Sequence, residues 1–263
     1  MMKVQAPIGV FDSGLGGLTA LRQLQKDLPD EDFIYFGDTA RVPYGGRDKA
    51  TLTDFARSDI ALLQSFGVKA ILVACGTVSS VVLEEIIDDY DIPLVGVIGS
   101  AAEAAARATR NGKVGIWGTE ASIRSGAYAK RLEDLGYADS VAVPCPKLVP
   151  LIESGTDARE AVREYLAPIL AAEADTLILG CTHYPLLKAV IAEEAPGLAL
   201  IDSGAESGLS LRYALEERRL LRRYHEGTTR YIVSGNPEEF EIRGGRFLNR
   251  DLCGKVEQRY AGK

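Results

Sequence analysis

The chain has 263 residues, 46% of them hydrophobic and 25% charged. That is enough apolar material for one large domain or for two of about 130 residues each. A net charge of −7 argues against nucleic acid as a main partner, because phosphate binding wants a basic face. No apolar run approaches the ~18 residues that read as a membrane span. The opening Met1-Met-Lys-Val-Gln-Ala-Pro7 lacks the apolar core of a signal peptide. A cytoplasmic protein with no membrane partner is expected, and its thiols should stay reduced.

Strand-like and helix-like segments alternate along the chain. Ile8 to Phe11 reads as a strand, followed by Asp12-Ser-Gly-Leu-Gly-Gly17 and a helix from Leu18 to Leu28. Asp32 to Phe36 is the next strand. A long polar loop, Gly37 to Arg47, leads to a helix from Asp48 to Phe66 with apolar residues at helical spacing. The run Lys69-Ala-Ile-Leu-Val-Ala-Cys75 is a strand ending in cysteine. It feeds a helix through Leu83 and Ile87, and Pro93 to Ile98 reads as a further strand.

The pattern then restarts. Lys113 to Trp117 is a strand, Gly118-Thr-Glu-Ala-Ser122 opens a helix to Leu135, and Val141 to Val143 leads to Pro144-Cys-Pro146. Helical stretches cover Leu148 to Ala172. Asp175-Thr-Leu-Ile-Leu-Gly-Cys181 is a second strand ending in cysteine, followed by a helix near Leu186 to Glu194 and a strand at Leu198 to Asp202. A long helix, a strand at Tyr231 to Val233 and a tail close the chain. The basic run Arg218 to Arg223 reads as a solvated helix face.

Repeated βα units predict an α/β fold of parallel sheets with helices on both faces. The two strand–Cys units suggest two pseudo-symmetric αβα domains with the active site in the cleft between them. Residues 1–98 with 208–263 would form one discontinuous domain carrying Cys75, and residues 99–207 the other, carrying Cys181. Right-handed crossovers bring strand C-termini to one edge, where ligands bind. Asp12, Ser13, Tyr44, Cys75, Thr77, Thr119, Ser122, Cys181 and His183 all fall in loops after strands.

Four cysteines with no Cys-x-x-Cys spacing, and only two histidines, suit neither a disulfide framework nor a zinc site. Cys145 and Cys253 read as small buried hydrophobes. Cys75 and Cys181, in matching settings, suit two thiols facing one carbon from opposite sides. A thiol at a helix N-terminus or beside a histidine is readily ionised, and thiolate is a usable general base. His183 is placed to tune Cys181. The Asp12-to-Gly17 turn is neither a dinucleotide fingerprint, since position 19 is Thr, nor a P-loop. Taken alone, Glu153 reads as a surface charge. A non-catalytic binding protein and a thiol–disulfide switch also fit two cysteines on one cleft.

Four motifs resemble those of the glutamate racemases within the aspartate/glutamate racemase superfamily: Asp12-Ser-Gly-Leu-Gly-Gly17, Phe36-Gly-Asp-Thr-Ala-Arg-Val-Pro-Tyr-Gly45, Gly118-Thr-Glu-Ala-Ser-Ile-Arg-Ser125 and Gly180-Cys-Thr-His-Tyr-Pro-Leu187. The resemblance runs from about Ile8 to Asp202. It implies cofactor-independent racemisation of glutamate by two bases, Cys75 acting on D-glutamate and Cys181 on L-glutamate, to supply D-glutamate for peptidoglycan. It also implies that Asp12, Glu153 and His183 assist the cysteines. Ser13, Pro43, Tyr44, Gly45, Gly76, Thr77, Thr119, Ser122 and Thr182 would line the substrate site, and the protein would be a homodimer. A racemase of aspartate or another amino acid is the near alternative. The family most often has Asn after the first cysteine and Thr at position 122. Gly76 and Ser122 here imply a lost contact with some gained space, and a retained hydroxyl. The short N-terminus lacks the extension of members activated by a cell-wall precursor, so no such activation is expected.

Overall fold

The computed structural model describes residues 4–261, so Met1 to Lys3 of the N-terminal stretch and residues 262–263 of the tail lie outside it. Two parallel sheets carry the fold. The first has β1 (Ile8–Asp12), β2 (Phe33–Gly37), β3 (Ala70–Val73) and β4 (Leu94–Val95), with β9 (Thr229–Val233) and β10 (Val256–Gln258) from the tail. Its order is β10-β9-β2-β1-β3-β4. The second holds β5 (Val114–Gly118), β6 (Ser140–Pro144), β7 (Thr176–Leu179) and β8 (Ala199–Asp202), ordered β6-β5-β7-β8. All pairings are parallel.

Helices cover both faces of each sheet, so the inner strands read as unbroken apolar runs. Alternate side chains enter different cores. Ala70 and Leu72 of β3 pack on one side with Ile8 and Val10. Ile71 and Val73 pack on the other with α2 (Lys49–Ser65), and Cys75 continues that row. Likewise Leu177 and Leu179 of β7 share a core with Cys181, while Ile178 points to the opposite face. The period-2 alternation of a strand therefore decides which way each thiol faces.

Several elements differ from the sequence expectation. The strand expected over Pro93 to Ile98 shrinks to Leu94–Val95, and α5 (Ile98–Ala108) begins where it was to end. The Ala-rich run of α5 has high helix propensity and a face that buries Ala101, Ala102 and Ala105. The helix expected to reach Leu135 is two, α6 (Glu120–Ser125) and α7 (Ala127–Asp134), broken at Gly126 with φ +71°. The helix after His183 starts as a 3-10 turn, Tyr184–Leu187, before α10 (Lys188–Glu194).

The basic run is not a helix face. The long helix α11 (Ser203–Glu217) stops before it, and Arg222 turns inward to pair with Asp32. Leu220 is buried, and its carbonyl accepts from the buried Lys69, which also pairs with Glu31 at 2.5 Å. Helix α11 crosses position 207/208 unbroken and packs on both α1 (Leu18–Asp27) and α5. A further helix, α12 (Pro237–Leu248), covers α1. Among the described residues no helix is long and apolar enough to cross a membrane.

Candidate active site

The C-terminal ends of β1, β3, β5 and β7 meet across a cavity of about 520 Å³ between the two sheets. Its lining includes Asp12, Ser13, Pro43, Tyr44, Gly45, Cys75, Gly76 and Thr77 from one half. Thr119, Glu153, Cys181, Thr182 and His183 line it from the other. Both cysteines are buried and neither is in a disulfide.

The two thiols differ in their partners. Cys75 precedes α3 (Gly76–Val81) and lies 3.8 Å from Ser13 Oγ. Burial, reinforced by the Asp12 charge, pushes its pKa from 9.0 to about 12, against the backbone amides of Val78 and Thr77. Cys181 Sγ lies 3.9 Å from His183 Nδ1. His183 Nε2 in turn meets Glu153 Oε1 at 2.7 Å. Burial alone would lower the His183 pKa. Hydrogen bonds to Cys181 and Glu153, with the charges of Cys181 and Asp12, reverse this and raise it from 6.5 to about 10. Hydrogen bonding to His183 holds the Glu153 carboxyl below its usual value, with help from the Arg243 charge. Glu153 thus lies in the cleft on α8 (Leu148–Ser154), with Arg243 of α12 at 3.3 Å from its other oxygen.

Comparison with known proteins adds an independent line. The Asp/Glu/Hydantoin racemase family model matches residues 18–207, more than half the chain. A glutamate racemase of Thermus thermophilus is 45% identical over 256 residues, 95% of each chain. A crystal structure of glutamate racemase from Thermus thermophilus with beta-chloro-D-alanine matches with a TM-score of 0.87 at 43% identity, covering 98% of both chains. One from Francisella tularensis with D-glutamate matches at 0.89 and 34%, again over 98% of both.

The chain belongs to the Asp/Glu/hydantoin racemase family. Within that family frame, each residue expected at the site can be placed. Asp12 ends β1, buried, accepting from the Gly14 amide at 3.0 Å and the Thr182 hydroxyl at 3.3 Å. Thr77 and Thr119 hydroxyls meet at 3.1 Å across the cleft. Ser122 sits one step back, buried behind Thr119 and bonded to its hydroxyl at 2.9 Å. Tyr44 turns its hydroxyl away from the cavity to the Asp38 and Asp59 carboxylates, so its loop faces the cleft through other atoms. Cys253, expected to be buried, is exposed because it follows Leu252 in a surface turn.

The expectation that Gly76 leaves space is overturned. A Cβ on Gly76 would lie 2.4 Å from the Gly180 carbonyl oxygen. Backbone, not solvent, occupies the place of a side chain. Gly16 is similar: a Cβ there would lie 2.1 Å from Thr182 Oγ1 and 2.5 Å from His183 Nδ1. The glycine-rich turn exists so that one half can press on the other half's cysteine loop, and Thr19 Oγ1 bonds the Thr182 carbonyl at 2.8 Å.

Sequence reasoning missed four residues that hold this site. Asp38, Arg41 and Asp59 form a network around Tyr44, with Arg41 at 2.5 Å from both carboxylates. Asp59 is fully buried, and burial with the Asp38 charge pushes its pKa well up. Arg243 is the fourth. Asp38 and Arg41 stood in a quoted motif. Asp59 carried one signal, an acid on the same helical face as Leu52, Ala56, Ile60 and Leu63 of α2. Arg243 carried none, because its partner is 90 residues away in sequence.

Proposed function

We propose that the protein interconverts L- and D-glutamate without a cofactor, with Cys75 and Cys181 as the two bases. The observation that carries this is one cavity lined by three buried free cysteines, two of which, Cys75 and Cys181, enter from different halves with Ser13 and His183 beside their sulfurs, while Cys145 turns its thiol to the Val143 carbonyl. The glutamate racemase relatives, 45% identical over nearly the whole chain, support glutamate as the substrate.

In this reading one thiolate removes the α-proton from one face while the other thiol delivers a proton to the opposite face. Charge moves onto the α-carboxylate, which needs fixed donors. The hydroxyls of Ser13, Thr77, Thr119 and Thr182, with loop amides at Gly45 and Gly76, line the cavity for that role. One such donor is worth ~3 kcal/mol in an acyl-transfer site, so several acting together are required. His183, held cationic by Glu153, supplies the positive partner for a thiolate at Cys181. No cationic side chain touches Cys75 among the described residues, and Asp12 stands beside it. The substrate's ammonium, entering next to Asp12, would supply that positive charge. Ser122 and Pro43 shape the loops that carry the donors.

The reading includes two domains, residues 1–98 with 208–263 and residues 99–207. Return of β9 and β10 to the first sheet supports it. It also includes a reducing, cytoplasmic setting, since both bases must be free thiols, and a homodimer that feeds D-glutamate to peptidoglycan synthesis. Solvent exchange tests the chemistry. In D2O without added cofactor, either enantiomer should yield α-deuterated glutamate, and Cys75→Ala and Cys181→Ala should each abolish racemisation. Undiminished turnover in either variant would sink the two-base assignment. Aspartate assayed in parallel should turn over far more slowly.

A further inference from the structure

We propose that Tyr35 is a positioning residue for the Cys75 side of the reaction: its hydroxyl pins the Gly14 peptide and so holds the Ser13 hydroxyl against the Cys75 sulfur. This deepens the two-base reading and rests on it. Tyr35 lies in β2, fully buried, opposite Val10 of β1. Its Oη donates to the Gly14 carbonyl at 2.7 Å. Buried phenol hydroxyls take a hydrogen-bond partner, and this one takes the turn after β1. Glycines keep the meeting place clear. A Cβ on Gly17 would lie 2.9 Å from the Tyr35 hydroxyl, and one on Gly37 would lie 2.9 Å from the Gly14 oxygen.

Gly14 needs such a restraint. Glycine has the widest backbone freedom, and packing does not confine it here: a Cβ at this position would meet only Val42 Cγ1, at 3.5 Å. Hydrogen bonds hold it from both sides instead. The Gly14 amide donates to Asp12 Oδ2 at 3.0 Å, and the Gly14 carbonyl accepts from Tyr35. Ser13 lies between Asp12 and Gly14, its Oγ 3.8 Å from Cys75 Sγ. That hydroxyl accepts from the thiol and donates to the thiolate, so it stays bonded as Cys75 gives up and regains its proton. A hydrogen bond to the charged form favours that form. Here it works against burial and the Asp12 charge, which push the Cys75 pKa up to about 12. Burial, with the charges of Asp12 and Cys75, also keeps the Tyr35 phenol protonated well above its ordinary range, so the donor persists.

Tyr35→Phe deletes one oxygen and keeps the ring that packs on Phe240 with centroids 6.0 Å apart. Its effect on turnover cannot be confined to one substrate. L- and D-glutamate are enantiomers of equal free energy, so kcat/KM must fall by the same factor in both directions. The one-sided effect shows at the thiols.

Tyr35→Phe, Ser13→Ala and the double variant, each in the full chain, test this. Tyr35→Phe should melt near the parent. It should lower kcat/KM ~10-fold for both enantiomers, the scale of a lost hydrogen bond to a thiolate. Added to Ser13→Ala it should lower the rate less than about twofold further, because the contact it serves is already gone. Iodoacetamide labelling, read peptide by peptide, should be slowed several-fold at Cys75 in Tyr35→Phe relative to Cys181 in the same molecules. Parent-like turnover in Tyr35→Phe overturns the proposal. So do losses that multiply in the double variant, or a Cys75-to-Cys181 labelling ratio that stays level or rises. If Tyr35→Phe melts early, the labelling ratio is read at a temperature where it is folded, with the same two outcomes. A variant that folds at no temperature makes Tyr35 a structural residue and overturns the proposal too. Failure of the two-base reading looks different: racemisation then survives in Cys75→Ala.

Discussion

His183 is one of two histidines in the chain, yet its surroundings make it a cation rather than a spare imidazole. Glu153 accepts from one ring nitrogen, Cys181 faces the other, and the Phe247 ring packs edge-on at 5.7 Å. Its folded pKa, about 10, lies above the ordinary 6.5. A raised cationic pKa stabilises the fold fully below pH 6.5, and the benefit drains away as pH climbs towards 10. The stability advantage of the parent over His183→Gln should therefore shrink across that window. Urea unfolding with reductant at pH 6, 8 and 10 reads it directly. An advantage that stays flat or grows with pH would mean that His183 is not held as a cation.

The element that departs furthest from its sequence appearance is the loop from Gly37 to Arg47. It looks like a solvated, glycine-rich connection, but it is anchored from beneath and from the side. Tyr44 and Arg41 reach down to Asp38 and Asp59, and the Ala40 and Gly235 amides tie it to the end of β9 through Ser234 and Thr39. The electrostatics there are asymmetric, with one guanidinium serving two buried carboxylates. Removing the cation strands both, whereas neutralising one acid relieves repulsion between them. Arg41→Met should cost ~3 kcal/mol of unfolding free energy, the usual penalty for breaking a buried pair from one side. Asp59→Asn should cost much less, and equal losses in chemical denaturation would refute the asymmetry. The loop's Asp-Thr-Ala-Arg motif was visible in sequence. Its anchor was not, because Asp59 looks like any acid on an amphipathic helix until α2 is laid against β1 and β2.

On the scale of the whole molecule, the tail after Asp202 belongs to the site as much as to the scaffold. Helix α12 buries Phe240, Phe247 and Leu248 against α1, and Arg243 reaches Glu153 on α8 of the other half. Ending the chain after Asn236 would remove α12 and β10 and uncover that apolar face. The truncated protein should bind a hydrophobic dye, melt several degrees lower and lose racemase activity. Unchanged melting and activity would show that the tail is dispensable. The parallel-sheet class, the convergence of strand ends and the pairing of Cys75 with Cys181 were legible because unbroken apolar runs and short motifs are local signals. The ion pairs of Arg243, Asp59 and Lys69 join segments far apart in the chain and leave no local trace.

The sequence by itself determined which residues to propose for the chemistry: two cysteines at matching strand ends, Asp12 and His183 on motifs that resemble one family, and Glu153 through that resemblance alone. Backbone propensity and apolar periodicity act over a few residues, so such features can be read in order along the chain. Only the tertiary structure decided how the two cysteine loops meet. Gly76 reads as a vacancy in sequence and is a backbone contact in three dimensions, since its neighbour, Gly180, arrives from the other half of the fold. Close packing decides what a missing side chain means, and it is a property of the assembled sheets rather than of any one segment.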